Sequence, residues 1–112
     1  MDRKTFLHHS SRALRHIDDT LGDLELEQLD VELAGDVLTL TFADGSQFVI
    51  NAHSAAEQVW MAANRSAWHF DLVPAEPGPD DDPKWIASKT DDELMSTVAR
   101  MVGDKLSRKI EL

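Results

Sequence analysis

The stretch VLTLTFADGSQFVIN at positions 37–51, followed by EQVWMAANRSAWHFDLV at 57–73, decides the fold. Leu38, Leu40 and Phe42 alternate with Thr39 and Thr41, the two-residue period of a strand with one buried face. Asp44-Gly45 is a strong short hairpin signal, and Phe48 and Ile50 continue the buried set beyond it. In EQVWMAA, alternation puts Val59 and Met61 on one face and Gln58, Trp60 and Ala62 on the other. A turn at Asn64, Arg65 and Ser66 leads into AWHFDLV, where His69 and Asp71 share a face opposite Trp68 and Phe70. Upstream, in LEQLDVEL, Leu29, Val31 and Leu33 alternate with Asp30 and Glu32, so that strand is apolar on one side and acidic on the other. Trp85-Ile86 reads as a short final strand.

Helical periods bracket these strands. From Arg3 to about Leu21, the residues Phe6, Ser10, Ala13, Leu14, Ile17 and Leu21 recur at three- and four-residue steps and define one buried stripe. A second helix is expected from about Asp91 to Ser107, with Leu94, Val98, Met101, Val102 and Leu106 inward. Thr90 is its expected N-cap, and Glu93 would complete a capping box. PAEPGPDDDP at 74–83 reads as a polar, proline-rich loop. Helix, antiparallel meander, helix is the order of an α+β two-layer sandwich, with both helices on one face of a five- to six-stranded sheet. At 112 residues, 42% of them hydrophobic, the chain fits one domain spanning residues 1–112.

Composition narrows the function. There is no cysteine, which excludes disulfides, thiolate metal sites and cysteine nucleophiles. The opening MDRKTFLHHSS lacks the apolar run of an export signal, and no stretch is long enough to span a bilayer, so the cytoplasm is the expected compartment. Formal charge is −10, and no Lys or Arg occurs between Arg15 and Arg65. That field disfavours nucleic acid, whose phosphates demand the opposite sign, and favours cations and basic protein surfaces. An acidic surface also serves solubility, which is the plainer reading of the charge alone.

Two groups of residues stand out. Asp19 and Asp23 lie one helical turn apart, pointing away from the buried stripe, with Asp18 at its flank; negative charge there opposes the helix dipole, so these acids are poor helix stabilisers. An ion pair between Arg15 and Asp19 is the competing explanation for one of them. Asp30 and Glu32 share a strand face. Hard cations prefer several oxygen ligands, and such a ridge would hold one weakly in water, since no EF-hand, zinc or histidine–carboxylate spacing is present. The second group centres on Trp60. Two helices cover only one face of a sheet, so Trp60 is expected on the open face beside Asn51 and Gln58, as an anchor for a protein partner. The inverted register would put it in the core instead. His69 falls on the same side as Asp71, and His8, His9, His16 and His53 read as solvated residues. No phosphate loop, nucleophile elbow or dinucleotide fingerprint occurs, and no enzyme site is read.

In order along nearly the whole chain, these residues resemble the frataxin family, particularly its bacterial, CyaY-like branch. The matching positions are Asp44, Gly45, Ser46, Val49, Ile50, Asn51, Gln58, Val59, Trp60, Ala62, His69, Phe70 and Trp85, together with the acidic end of the first helix, IDDTLGDLE. The resemblance implies a two-helix α-β sandwich and an acidic ridge that binds iron, Fe2+ or Fe3+, with modest affinity, other divalent cations substituting. By matched position the ridge is Asp18, Asp19, Asp23, Glu25, Glu27, Asp30 and Glu32. It further implies that the ridge meets a basic patch on the cysteine desulfurase, while the sheet face with Asn51, Gln58 and Trp60 contacts the iron–sulfur scaffold protein. The expected function is iron donor or regulator in iron–sulfur cluster assembly, in a monomer, with oligomers as the alternative under excess iron. Where the family continues V-I-N with Arg-Gln, this chain has Ala52-His53, which removes an arginine from the scaffold contact or shifts part of it to His53. A metal-independent acidic adaptor is the second function carried forward. A weak ferroxidase ranks last, for want of an enclosed pair of metal ligands.

Overall fold

The computed structural model describes residues 3–73 and 83–112. The elements are α1 (Arg3–Gly22), β1 (Leu29–Ala34), β2 (Val37–Phe42), β3 (Gln47–His53), β4 (Gln58–Ala63), β5 (Ser66–Val73), β6 (Lys84–Ala87) and α2 (Leu94–Leu106). All six strands form one antiparallel sheet in sequential order, β1-β2-β3-β4-β5-β6. Apart from Pro83, the proline-rich loop expected at 74–83 lies outside the described residues, as do its three consecutive aspartates.

Both helices lie on one face because every apolar period points there. The buried residues of α1 are Phe6, Ser10, Ala13, Leu14, Ile17 and Leu21, the stripe that helical spacing defines. They meet the inward residues of the sheet, among them Leu38 and Leu40 of β2, Phe48 and Ile50 of β3, Val59 and Met61 of β4, and Phe70 of β5. Phe6 packs edge-on against Trp85 at 5.7 Å, tying the start of α1 to β6. Such a ring pair contributes about 0.5–1.5 kcal/mol beyond the area it buries. The apolar repeat therefore fixes which face is covered, and among the described residues no helix lies on the opposite face of the sheet.

The Asp44-Gly45 hairpin forms as its sequence requires. Gly45 has φ +88, and the Asp44 carboxylate accepts from the Ser46 amide at 2.9 Å and the Ser46 hydroxyl at 2.6 Å. Lys105 in the last turn of α2 reaches the same carboxylate at 2.6 Å, with its ammonium 5.8 Å from the centre of the Phe42 ring. The Lys105 bond and those from Ser46 hold the Asp44 carboxyl well below the usual range.

One expected boundary is corrected. The second helix begins at Leu94, and its N-cap is Glu93 rather than Thr90. The Glu93 carboxylate accepts from the backbone amides of Met95 at 2.7 Å and Ser96 at 3.1 Å. Thr90 lies in a turn, where its hydroxyl accepts from the Asp92 amide at 3.4 Å. The cause is tertiary: Ala87 donates its amide to the Asp92 carbonyl at 2.8 Å, and Ile86 pairs with Glu93 in an isolated bridge. The chain thus stays bonded to the end of β6 through Glu93, and helix can start only afterwards. Met101 and Leu106, expected inward, pack against the core only partly buried, while Thr97 is fully buried with its hydroxyl donated to the Glu93 carbonyl at 2.8 Å.

Candidate functional site

Edge strand β1 packs beside α1, and together they set out the acidic residues. Asp19 and Asp23 are exposed at the end of α1, and Asp18 is half-buried. No basic residue occupies the last turn of that helix. Glu25, with φ +48, turns the chain off the helix, and Glu25 and Glu27 both stand in solvent along the connection. Asp30 and Glu32 project from β1, exposed, opposite Thr41 and Thr39 of β2. Their strand face is the one away from the helices, so the seven carboxylates wrap from the helical layer around the sheet edge to its open side.

None of the seven is ion-paired among the described residues, and Arg15 does not engage Asp19. Their charge is therefore not spent on internal partners. Nor do any three His, Asp or Glu side chains among the described residues converge as a ready-made metal cage. The arrangement is a line of solvent-facing carboxylate oxygens, chemically suited to a hard cation and to a basic surface.

On the open face of the sheet, Trp60 stands where alternation predicts, half-buried and opposite Asn51 of β3 and His69 of β5. Its indole is stacked between two imidazoles: His53 with ring centres 3.9 Å apart and His69 with centres 4.4 Å apart, each tilted by 16°. The indole N–H donates to Gln58 Oε1 at 2.9 Å, and Gln58 Nε2 donates to Asp71 Oδ1 at 3.0 Å. His53 Nδ1 accepts from the Ala56 amide at 3.2 Å. Asn51, Gln58 and Trp60, expected together on this face, are found there, and His69, expected beside Asp71, joins them as a stacking ring. His53, expected as a solvated residue or as taking over part of the scaffold contact, stacks on the indole, and Asp71, expected on the face of His69, anchors Gln58. The available signal for both was their parity with Trp60 across three neighbouring strands.

A two-helix sandwich with an acidic edge and a tryptophan on its bare sheet face is a combination that comparison with known proteins can test. The frataxin-like domain pattern matches residues 1–108. The chain belongs to the frataxin family. Among its frataxin relatives, the iron-sulfur cluster assembly protein CyaY of Dechloromonas aromatica is 32% identical over 113 residues, covering 100% of this chain and 99% of that protein. The protein of the same name from Vibrio campbellii is 38% identical over 82 residues, which are 73% of this chain and 66% of the relative. A solved frataxin from Psychromonas ingrahamii superposes with a TM-score of 0.82 at 20% identity, over 99% of this chain and 97% of the other. At that identity the likeness is one of fold, and it agrees with the two helices and six antiparallel strands seen here. Among the described residues, no helix of this frataxin is long and apolar enough to cross a membrane.

Proposed function

We propose that this frataxin acts in iron–sulfur cluster assembly, carrying weakly held iron on its acidic edge and docking on the assembly machinery through that edge and the open sheet face. The observation that carries the reading is the run of seven exposed or half-exposed carboxylates, Asp18 to Glu32, without an ion-pair partner among the described residues. Iron is cargo here, bound by oxygen ligands and exchangeable with water. The same carboxylates attract a basic patch on a cysteine desulfurase, so metal and partner compete for one surface. Trp60, Asn51, Gln58 and His69 form the second contact, toward the iron–sulfur scaffold protein. The names borne by the relatives, iron-sulfur cluster assembly protein CyaY, support this process.

A metal-independent adaptor, whose iron binding is incidental to its charge, is the alternative to this reading. The two part on one experiment: desulfurase affinity measured by calorimetry with and without ferrous iron, for the native chain and for Asp19→Lys/Asp23→Lys. The cargo reading expects iron to weaken docking on the native chain, and charge reversal to cost roughly tenfold in affinity and flatten the salt dependence. Identical affinity with and without iron identifies the adaptor. Undiminished binding by the reversed variant refutes electrostatic docking altogether.

A further inference from the structure

The stack on the open sheet face has a feature that solvated histidines do not explain. Both faces of the Trp60 indole are covered, by His53 at 3.9 Å and His69 at 4.4 Å, and the residue is half-exposed. Its one polar atom is already committed, through N–H to Gln58 at 2.9 Å. Gln58 cannot flip away, because its amide nitrogen is donated to Asp71 at 3.0 Å and only its oxygen is left for the indole. His69 is exposed and sits directly opposite Trp60 in the strand register, as any cross-strand neighbour would. His53 is different: it reaches Trp60 diagonally, since its register partner is Gln58, and it is itself held by the Ala56 amide on Nδ1. Nothing in the core needs this clamp, since the packed face of the sheet is the other one.

We infer that His53 is the positioning residue of the sheet-face anchor: it clamps the Trp60 indole against His69, so that a partner protein meets a preset carbon edge rather than a mobile ring. The inference rests on the docking role proposed for this face and names the chemistry of its occupant. A carbon edge with its N–H already spent selects an aliphatic side chain. Among the described strand residues, the open face carries Asp30, Glu32 and Asp71 against Lys84, so that side chain should sit within a basic rim. Pre-ordering the ring removes an entropy cost otherwise met at binding, which corresponds to roughly two- to tenfold in affinity.

The test is a double-mutant cycle on affinity for the scaffold protein from the same organism, with an independent readout on the free chain. Trp60→Ala should weaken binding by roughly thirtyfold, as a buried aromatic anchor does. His53→Ala should weaken it by roughly two- to tenfold, His53→Phe should recover most of that loss by restoring a stacking ring, and His53→Ala should add nothing once Trp60 is Ala. In the free chain, His53→Ala should speed solvent exchange of the Trp60 indole N–H in a two-dimensional NMR spectrum while leaving the melting temperature unchanged. Additive losses, native affinity for His53→Ala, or an unchanged indole exchange rate overturns the positioning role while leaving the docking face in place. Native affinity for Trp60→Ala removes the docking face itself, and the inference with it.

Discussion

Neutralising two carboxylates at the end of α1 should make the protein more stable and less responsive to metal. Asp19 and Asp23 are exposed, lie at i and i+4, and stand at the negative end of the helix dipole with no basic residue in the last turn. Their mutual repulsion costs about 0.2–0.5 kcal/mol, and each charge against the dipole about 0.3 kcal/mol or more at low salt. Asp19→Asn/Asp23→Asn should therefore stabilise the metal-free protein by about 1 kcal/mol. For 112 residues the unfolding entropy is about 0.24 kcal/mol/K, so the melting temperature should rise by about 4 °C. A cation at tenfold its dissociation constant that binds only the folded chain adds about 1.4 kcal/mol, or about 6 °C, to the native protein. In the variant that increment should fall by half or more. Thermal scans by circular dichroism, with chelator and with ferrous iron under argon, read both quantities. A variant no more stable than the native chain in chelator, with an undiminished iron increment, would refute the assignment of these acids to a cation surface.

Three further outcomes follow from the geometry. Glu93→Ala removes the two amide contacts at the start of α2 and should cost about 1 kcal/mol, about 4 °C in melting temperature, whereas Thr90→Ala should change it far less. Gly103→Ala should lower the melting temperature and loosen the C-terminal residues around Ile110, because its Cβ would lie 2.7 Å from the Arg108 carbonyl oxygen, a backbone atom that cannot rotate aside. The third concerns pH. The Asp44 carboxyl is held low by Lys105 and Ser46, so its contribution is full while the unfolded-state carboxyl is ionised and is lost as pH falls toward the depressed folded value. The melting-temperature gap between the native chain and Lys105→Met should be constant from neutral pH to about 5 and should close below about pH 4; a gap that widens in acid contradicts the pairing.

Much of this molecule was legible because its local and global signals agree. The stripe from Phe6 to Leu21 follows from helical period alone, and the parity of Val59 and Met61 against Trp60 settles which way β4 faces. Asp44-Gly45 carries its own turn chemistry. What escaped depends on partners distant in sequence. Thr90 satisfies the local rule for a helix cap better than Glu93 does, and only the bonds from Ala87 and Ile86 overrule it. Trp68 donates its indole N–H to Asp92 at 3.1 Å, across the gap between β5 and the approach to α2, which no local pattern announces. The seven acidic positions could be read from the sequence, but not that they pass from the helical layer to the open side of the sheet. The clamp on Trp60 depends on a diagonal contact between strands, and such a contact exists only once the register is fixed.

The most direct measurement is a two-dimensional NMR titration of the labelled chain with a diamagnetic trivalent cation, gallium or lanthanum. Amide shifts should concentrate between Asp18 and Glu32 and leave α2 and β5 in place. Shifts of equal size spread through the chain, or centred away from the end of α1 and from β1, would show that the acidic edge is not where the cation goes.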